Sequence, residues 1–158
     1  MSNNNVRYYD AAGTGTFPSL TSNATGMIFY WEYEHPECAK SLTEPAHRTT
    51  TGAKVVANID ANLSDFALLK LTQDTRNVSG IAPHYLGWDK SGASGTGGVG
   101  IHHPMGDVKK IATHNQTPQS IGNSWVLYWM QTPNGYSITD GGSSGSPLIN
   151  NNRHVIGQ

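Results

Sequence analysis

A short glycine-rich segment could place a serine for nucleophilic chemistry. Residues 142–147 read Gly-Ser-Ser-Gly-Ser-Pro. A serine hydroxyl is a poor nucleophile, so a serine hydrolase sets it beside a base and beside N–H groups that receive the developing oxyanion. Gly142 can let the N–H groups of residues 142 and 144 point into one small pocket, and Gly145 leaves room for a substrate. A plain hairpin is the alternative, but the strand-like Ser-Pro-Leu-Ile at 146–149 favours a hydrolase.

The order of these residues excludes the nucleophile elbow of α/β-hydrolases. That motif requires Gly-x-Ser-x-Gly, followed by an acid and a histidine later in the chain. Here Ser146 stands at the last position of the motif, and only 14 residues follow Ser144. An acid that serves Ser144 is therefore expected earlier in the chain.

An aspartate that opens an apolar segment is a candidate for this acid. Asp65 precedes Phe-Ala-Leu-Leu-Lys-Leu at residues 66–71, and a carboxylate so close to a core needs a partner. In a catalytic triad the carboxylate holds the imidazole in the right tautomer and stabilises the imidazolium. The alternative is a capping aspartate at a strand entry, for which Asp60 and Asp74 are equally suitable.

None of the seven histidines stands in a setting typical of a catalytic base. His47 keeps the order His, Asp, Ser, but residues 44–48 have a polar loop sequence, and His35 is similar. His102 and His103 are adjacent, so on a strand they point to opposite faces and cannot both bind one metal. A zinc site also needs further ligands at defined spacing. We predict that His102 and His103 are structural and that there is no metal site.

Composition excludes several functional classes. Net charge is −1 and the ten Lys and Arg do not cluster, so nucleic acid is not an expected partner. The longest apolar stretch, within residues 27–33, is too short to cross a bilayer. The polar start, residues 1–5, lacks the pattern of a signal peptide. The single Cys38 cannot form an internal disulfide and leaves the redox compartment open.

The low charged fraction of 13%, with 18 Gly and 8 Pro, favours an all-β chain of short strands and many turns. The strongest strand signal is Met27–Tyr33, in which alternate residues form one apolar, core-facing row. Further strands are predicted at residues 54–59, 65–71, 108–112, 125–131, 146–149 and 154–157. The segment 77–84 is the best candidate for a crossing between two halves. Residues 95–100 fit Gly-x-Gly-x-x-Gly but lack the flanking strand and helix of a dinucleotide site, so a flexible hairpin loop is predicted there.

From about Ala24 onward the chain resembles the lysyl endopeptidase group of bacterial trypsin-like serine proteases. The matching segments, in the order of the family, are Phe-Tyr-Trp-Glu-Tyr at 29–33, Ser-Asp-Phe-Ala-Leu-Leu at 64–69, Leu-Gly-Trp-Asp at 86–89, Ile-His-His-Pro at 101–104, Lys-Ile at 110–111, the serine segment 142–147, and Val-Ile-Gly-Gln at 155–158. The resemblance implies a trypsin-like double β-barrel, antiparallel with Greek-key topology and incomplete at both ends. Residues 24–78 would form a partial N-terminal barrel and residues 79–158 a partial C-terminal barrel, with residues 1–23 unassigned.

The resemblance also implies roles for particular residues. Ser144 is the nucleophile, Asp65 the triad acid, and the N–H groups of Gly142 and Ser144 form the oxyanion hole. Trp88 matches a tryptophan that lies beside the triad and tunes it; the alternative is an ordinary core aromatic. Ser143 replaces the aspartate that in animal trypsins pairs with a newly cut N-terminus, so activation by that ion pair is not expected.

Several family residues are expected outside these 158 residues. The catalytic histidine of the family precedes the aromatic strand, where this chain has no histidine, which leaves His47 only as a stand-in. The cysteine that pairs with the position of Cys38 is also expected upstream. The histidine that stacks on the tryptophan, and the acid at the base of the lysine pocket, are expected after Gln158.

The resulting hypothesis is a serine endopeptidase that cleaves peptide bonds after lysine through an acyl-enzyme on Ser144, with peptides or proteins as substrates. It needs no cofactor, and neither nucleic acid nor a membrane is an expected partner. The parent protein is expected to be secreted or periplasmic. The chain alone is expected to be weakly active or inactive, and to form homo-oligomers through exposed strand edges. The alternative is a catalytically dead β-domain that binds peptide or carbohydrate through its aromatic rows.

Overall fold

The computed structural model describes residues 6–7, 24–37, 43–59, 66–122 and 124–158. Strands make up 40% of the structure, helix is almost absent, and no closed barrel is found among the described residues. The predicted all-β class is therefore confirmed, and open sheets are consistent with an incomplete barrel. No helix in the described part is long and apolar enough to span a membrane.

The strands of the described residues are short. In chain order they are β1 (Val6–Arg7), β2 (Ile28–Trp31), β3 (Arg48–Thr51), β4 (Ala53–Ile59), β5 (Phe66–Leu71), β6 (Gly87–Trp88), β7 (Gly98–His102), β8 (Lys110–His114), β9 (Gln119–Ile121), β10 (Ser124–Val126), β11 (Gln131–Thr132), β12 (Gly135–Tyr136), β13 (Leu148–Asn150) and β14 (His154–Gly157). Single 3₁₀ turns lie at Ala24–Gly26, Thr75–Asn77 and Pro104–Gly106.

The described residues group into two compact units that divide between Pro83 and His84. The predicted boundary after residue 78 and the assignment of residues 1–23 stay predictions. In the first unit, β1, β2 and β3 form an antiparallel sheet, and β4 pairs with β5 in a two-stranded ladder. In the second unit, a five-stranded sheet has the order β6-β14-β13-β7-β8. The hairpins β9–β10 and β11–β12 complete that unit.

The aromatic row of β2 builds the core of the first unit, as predicted. Met27, Phe29 and Trp31 are buried together with Ala24, Ala53 and Ile81. The indole N–H of Trp31 donates to the Thr50 hydroxyl on β3 at 2.9 Å, so its polar atom is satisfied inside the core. The strand ends earlier than predicted because Glu32 has a φ of +58°, outside the extended region.

Asp74, one of the alternative acids, has a local structural role. Its carboxylate caps the 3₁₀ turn at 75–77 by accepting from the N–H of Arg76 at 3.0 Å, and it pairs with the Arg76 guanidinium at 2.6 Å. These bonds lower the pKa of Asp74 to about 2. Asp74 is therefore a capping residue, while Asp60 and Asp65 lie outside the described residues.

Two predictions about the second unit are wrong in detail. The single strand predicted at 125–131 is two separate strands, β10 and β11, joined by irregular backbone. The glycine-rich segment 95–100 is a loop only at its start, because Gly98–Gly100 belong to β7 and two of these glycines are buried. A Cβ at Gly100 would lie 3.0 Å from the Trp129 ring. These glycines thus permit close packing within a sheet.

Candidate active site

The serine segment forms two successive tight turns immediately before β13. The Ser143 N–H donates to the Asp140 carbonyl at 3.0 Å, and the Ser146 N–H donates to the Ser143 carbonyl at 3.1 Å. Gly142 and Gly145 have φ values of +88° and +78°, a region that favours glycine. The two glycines that the sequence singled out are therefore the ones that allow the chain to reverse on either side of Ser144. We call residues 140–146 the serine turn.

Ser144 lies at an exposed position in this turn. Among the described residues, the backbone donors of the turn that find acceptors are those of Asp140, Gly141, Ser143 and Ser146. The N–H groups of Gly142 and Ser144 take part in none of these bonds. They are the two donors that the resemblance assigns to the oxyanion hole.

The loop after β7 supports the serine turn at Gly141 and Gly142. The Met105 N–H donates to the Gly141 carbonyl at 2.6 Å. A Cβ at Gly142 would lie 3.3 Å from the Met105 nitrogen and 3.4 Å from the His103 carbonyl oxygen. Gly142 therefore needs to be glycine both for its φ and for this close backbone approach. His103 itself is buried, with Nδ1 3.0 Å from the Asp107 carbonyl.

His102, at the end of β7, contacts the serine turn directly. Its side chain is 2% exposed, and its Nδ1 lies 2.9 Å from the hydroxyl oxygen of Ser143. Burial lowers the pKa of His102, because the charged imidazolium loses its hydration. The same Ser143 oxygen accepts from the Asp140 N–H at 3.3 Å. His102 is thus a buried residue with a specific polar contact next to Ser144.

Sequence reasoning predicted a structural role for His102 but missed its link to the serine turn. Apolar alternation in Gly98–His102 would place Val99 and Ile101 on the core face and His102 on the other face, whereas the structure buries residues 98, 100 and 102. The inward imidazole therefore had no signal in the sequence. Nor could the sequence identify Ser143 as the partner, because the two residues are 41 positions apart in the chain.

Trp88 is exposed. It belongs to β6, which runs parallel to β14 with Val155 opposite Trp88. The side chain is 73% exposed, so the alternative of an ordinary core aromatic is wrong for the described structure. A Cβ at the neighbouring Gly87 would lie 2.9 Å from the His154 ring, which shows that this ring covers Gly87. The role of Trp88 beside a triad stays a prediction.

His47 is held by neighbours within the first unit. Its Nδ1 lies 3.1 Å from the Pro45 carbonyl oxygen. The centroid of its ring lies 4.8 Å from the ring centroid of Tyr30 and 5.5 Å from that of Tyr33. The same Nδ1 lies 3.8 Å from a carboxylate oxygen of Glu44, and the use of His47 as a stand-in base stays a prediction. Asp65 and Cys38 lie outside the described residues, and their predicted roles stay predictions. The described part contains no group of three or more His, Cys, Asp or Glu that could hold a metal.

Fold and turn together define an all-β protein in which a glycine-flanked serine stands exposed at the entry of a sheet strand. The family model of the lysyl endopeptidase C-terminal domain matches residues 13–158. The chain therefore belongs to the lysyl endopeptidase C-terminal domain family, and its function is related to that of proteases. This match also takes in residues 13–23, for which no motif had suggested a relationship.

Proposed function

We propose that this chain carries the nucleophile of a trypsin-like serine endopeptidase that hydrolyses peptide bonds after lysine. The observation that carries the proposal is the exposed Ser144, set between two positive-φ glycines, with the N–H groups of Gly142 and Ser144 outside the hydrogen bonds of the turn. Membership of the lysyl endopeptidase family supports the reaction class and the preference for lysine. The substrates are peptides or proteins, no cofactor takes part, and the parent protein is secreted or periplasmic.

In the proposed reaction the Ser144 hydroxyl oxygen attacks the carbonyl carbon of the peptide bond while a base removes the hydroxyl proton. The carbonyl oxygen becomes an oxyanion, and the N–H groups of Gly142 and Ser144 donate to it. The base then protonates the leaving amine, which leaves an ester on Ser144. Water attacks this ester with help from the same base, which releases the acid and restores Ser144. Asp65 would orient the base and stabilise its charged form.

The base is the part of the triad for which these residues offer no good candidate. His47 Nδ1 faces the Pro45 carbonyl and His102 Nδ1 faces Ser143. We propose that a histidine outside these 158 residues supplies the base, as the family resemblance implies. Without it, turnover falls by a factor on the order of 10⁴ to 10⁶. The 158-residue chain alone is then weakly active or inactive.

The test is hydrolysis of a Lys-x peptide reporter by the complete product of the reading frame that contains this chain. We expect cleavage after lysine, loss of cleavage in Ser144→Ala, and a strongly reduced rate in Asp65→Asn. Asp74→Asn is the matched control, because Asp74 caps a local turn. Full activity of Ser144→Ala, or equal losses in Asp65→Asn and Asp74→Asn, would contradict the proposal.

A binding module that has lost catalysis is the second candidate. The exposed aromatic residues of the second unit favour it, namely Tyr85, Trp88, Tyr128 and Tyr136. The aromatic row of β2 does not contribute, since Phe29 and Trp31 are buried. Such a module would bind lysine-containing peptides or oligosaccharides without using the Ser144 hydroxyl. Binding that is unaffected by Ser144→Ala, together with no hydrolysis by the complete product, would favour this candidate.

A further inference from the structure

We propose that His102 is a positioning residue that holds the serine turn in its working conformation through the hydroxyl of Ser143. The proposal rests on the proposed function of Ser144, because a working conformation presupposes that Ser144 reacts. His102 itself does not contact the reacting atoms. It acts through Ser143, the residue between the two proposed oxyanion donors.

The hydrogen bonds at Ser143, together with the burial of the His102 ring, favour one donor in the contact between the two residues. The Asp140 N–H points at the Ser143 oxygen at 3.3 Å, so that oxygen already acts as an acceptor. The hydroxyl proton is then available to His102 Nδ1, which lies 2.9 Å away. We infer that Ser143 donates and that the neutral ring carries its proton on Nε2. Burial of the ring favours this neutral form.

The position of Ser143 explains why this bond bears on the oxyanion donors. The peptide planes on either side of residue 143 carry the N–H groups of Ser143 and Ser144, and the preceding plane carries that of Gly142. Gly142 and Gly145 have little conformational restraint of their own. The turn is otherwise tied to the loop after β7 through the Met105 N–H and the Gly141 carbonyl. An anchor at Ser143 therefore fixes the part of the turn that the glycines leave free.

The anchor itself is well placed to be rigid. His102 is the last residue of β7, and β7 pairs with β13 and β8 on its two sides. The imidazole is among the most buried side chains described, at 2% exposure. A serine turn bonded to it is thereby held against β7, an interior strand of the five-stranded sheet, at the position where His102 pairs with Lys110 of β8. This differs from a surface contact, which would give little restraint.

Amide hydrogen exchange on the 158-residue chain tests the proposal without any need for catalysis. The reporters are the N–H groups of Ser146 and Met105, which bond across the serine turn and to it. We expect exchange at both to become about tenfold faster or more in His102→Phe and in Ser143→Ala. The backbone N–H of Thr72 in the first unit, which donates to the Gly52 carbonyl at 2.9 Å, serves as the internal control and should not change.

Rescue by a conservative variant separates positioning from simple packing. In His102→Asn the side-chain oxygen stands the same number of bonds from Cα as Nδ1 does, so it can still accept from Ser143. We expect exchange in His102→Asn to return to within about threefold of the wild-type rates. Wild-type exchange in His102→Phe, or equal acceleration in His102→Asn and His102→Phe, would overturn the proposal.

The ring nitrogen signals of the wild-type chain give a second measurement that needs no unstable variant. Long-range ¹H–¹⁵N spectra should show His102 with an unprotonated Nδ1 and a protonated Nε2, and Ser143→Ala should shift the Nδ1 signal. A protonated Nδ1, or no change in Ser143→Ala, would overturn the proposed direction of the bond. If Ser144 proves unreactive in the complete product while these results hold, the proposed function fails and the positioning contact stands.

Discussion

At the scale of single residues, the exposed position of Ser144 depends on the backbone conformation of the glycines near it. Gly142 and Gly145 both adopt positive φ, yet only Gly142 lies against other backbone atoms. Sequence motifs identified both glycines, because the pattern around a reactive serine is local. The same motifs could not identify His102 as a partner of Ser143, since that contact depends on how β7 and the serine turn pack.

We predict that Gly142→Ala is more destabilising than Gly145→Ala. Each alanine at positive φ costs about 1 kcal/mol, and a Cβ at Gly145 has no atom within 4 Å. At Gly142 the Cβ would also meet the Met105 nitrogen at 3.3 Å and the His103 carbonyl oxygen at 3.4 Å. Urea denaturation of both variants checks this order. Equal midpoints would show that the close approach at Gly142 carries no cost.

We predict that acid weakens the fold through His102. Burial puts the pKa of His102 in the folded protein below its usual value near 6.5, so at lower pH the unfolded chain binds this proton more readily. The contribution of His102 to stability is therefore present above about pH 6.5 and decreases as the pH falls through that value. The unfolding free energy should fall less between about pH 7 and pH 5 in His102→Asn than in the wild type. Parallel pH profiles for the two proteins would refute this.

At the scale of elements, alternation of apolar residues predicted the strands that bury an apolar face. The row that begins at Met27 forms the core on β2, and β14 has the predicted bounds. The prediction was weaker where glycine replaces side chains. Gly98 and Gly100 carry no apolar signal, although the sheet needs them in β7 for close packing against Trp129 and β13. Irregular backbone between β10 and β11 likewise has no signature in the alternation of residues 125–131.

We predict that Thr50→Val destabilises the first unit by about 1 to 3 kcal/mol, because it leaves the buried indole N–H of Trp31 without its acceptor. Thr49→Val is the matched control. Thr49 is the exposed neighbour on the same strand, and the change should be within about 0.5 kcal/mol of neutral. Urea denaturation followed by tryptophan fluorescence gives both values. A loss in Thr49→Val as large as that in Thr50→Val would contradict the role of this bond.

At the scale of the whole molecule, the sheets are small and open. In the described part of the first unit, β4 and β5 pair only with each other. Val56 is 58% exposed and Leu68 37% exposed on this ladder. Unpaired edges that carry apolar residues favour pairing with another copy of the chain. The family resemblance implied an incomplete barrel, and residues 60–65 lie outside the described residues at the end of this ladder.

We predict that the 158-residue chain forms dimers or larger assemblies, and that Val56→Lys with Leu68→Glu shifts it toward monomer. Ile121→Lys is the control, since Ile121 is similarly exposed but lies on β9 in the other unit. Light scattering after size-exclusion chromatography measures the mass of each. A monomeric wild-type chain, or equal effects of the control and the double variant, would contradict association through β4 and β5.

The role of Ser144 as the nucleophile is tested by mapping the residue that a lysine-like phosphonate modifies in the complete product of the reading frame. Mass spectrometry should find the adduct on Ser144, and the adduct should be absent in Ser144→Ala. The isolated 158-residue chain should react far more slowly, because it lacks a suitable base. An adduct on Ser143 or elsewhere, or no adduct on the complete product, would contradict Ser144 as the nucleophile. Rapid stoichiometric labelling of Ser144 in the isolated chain would contradict the need for a base from outside it.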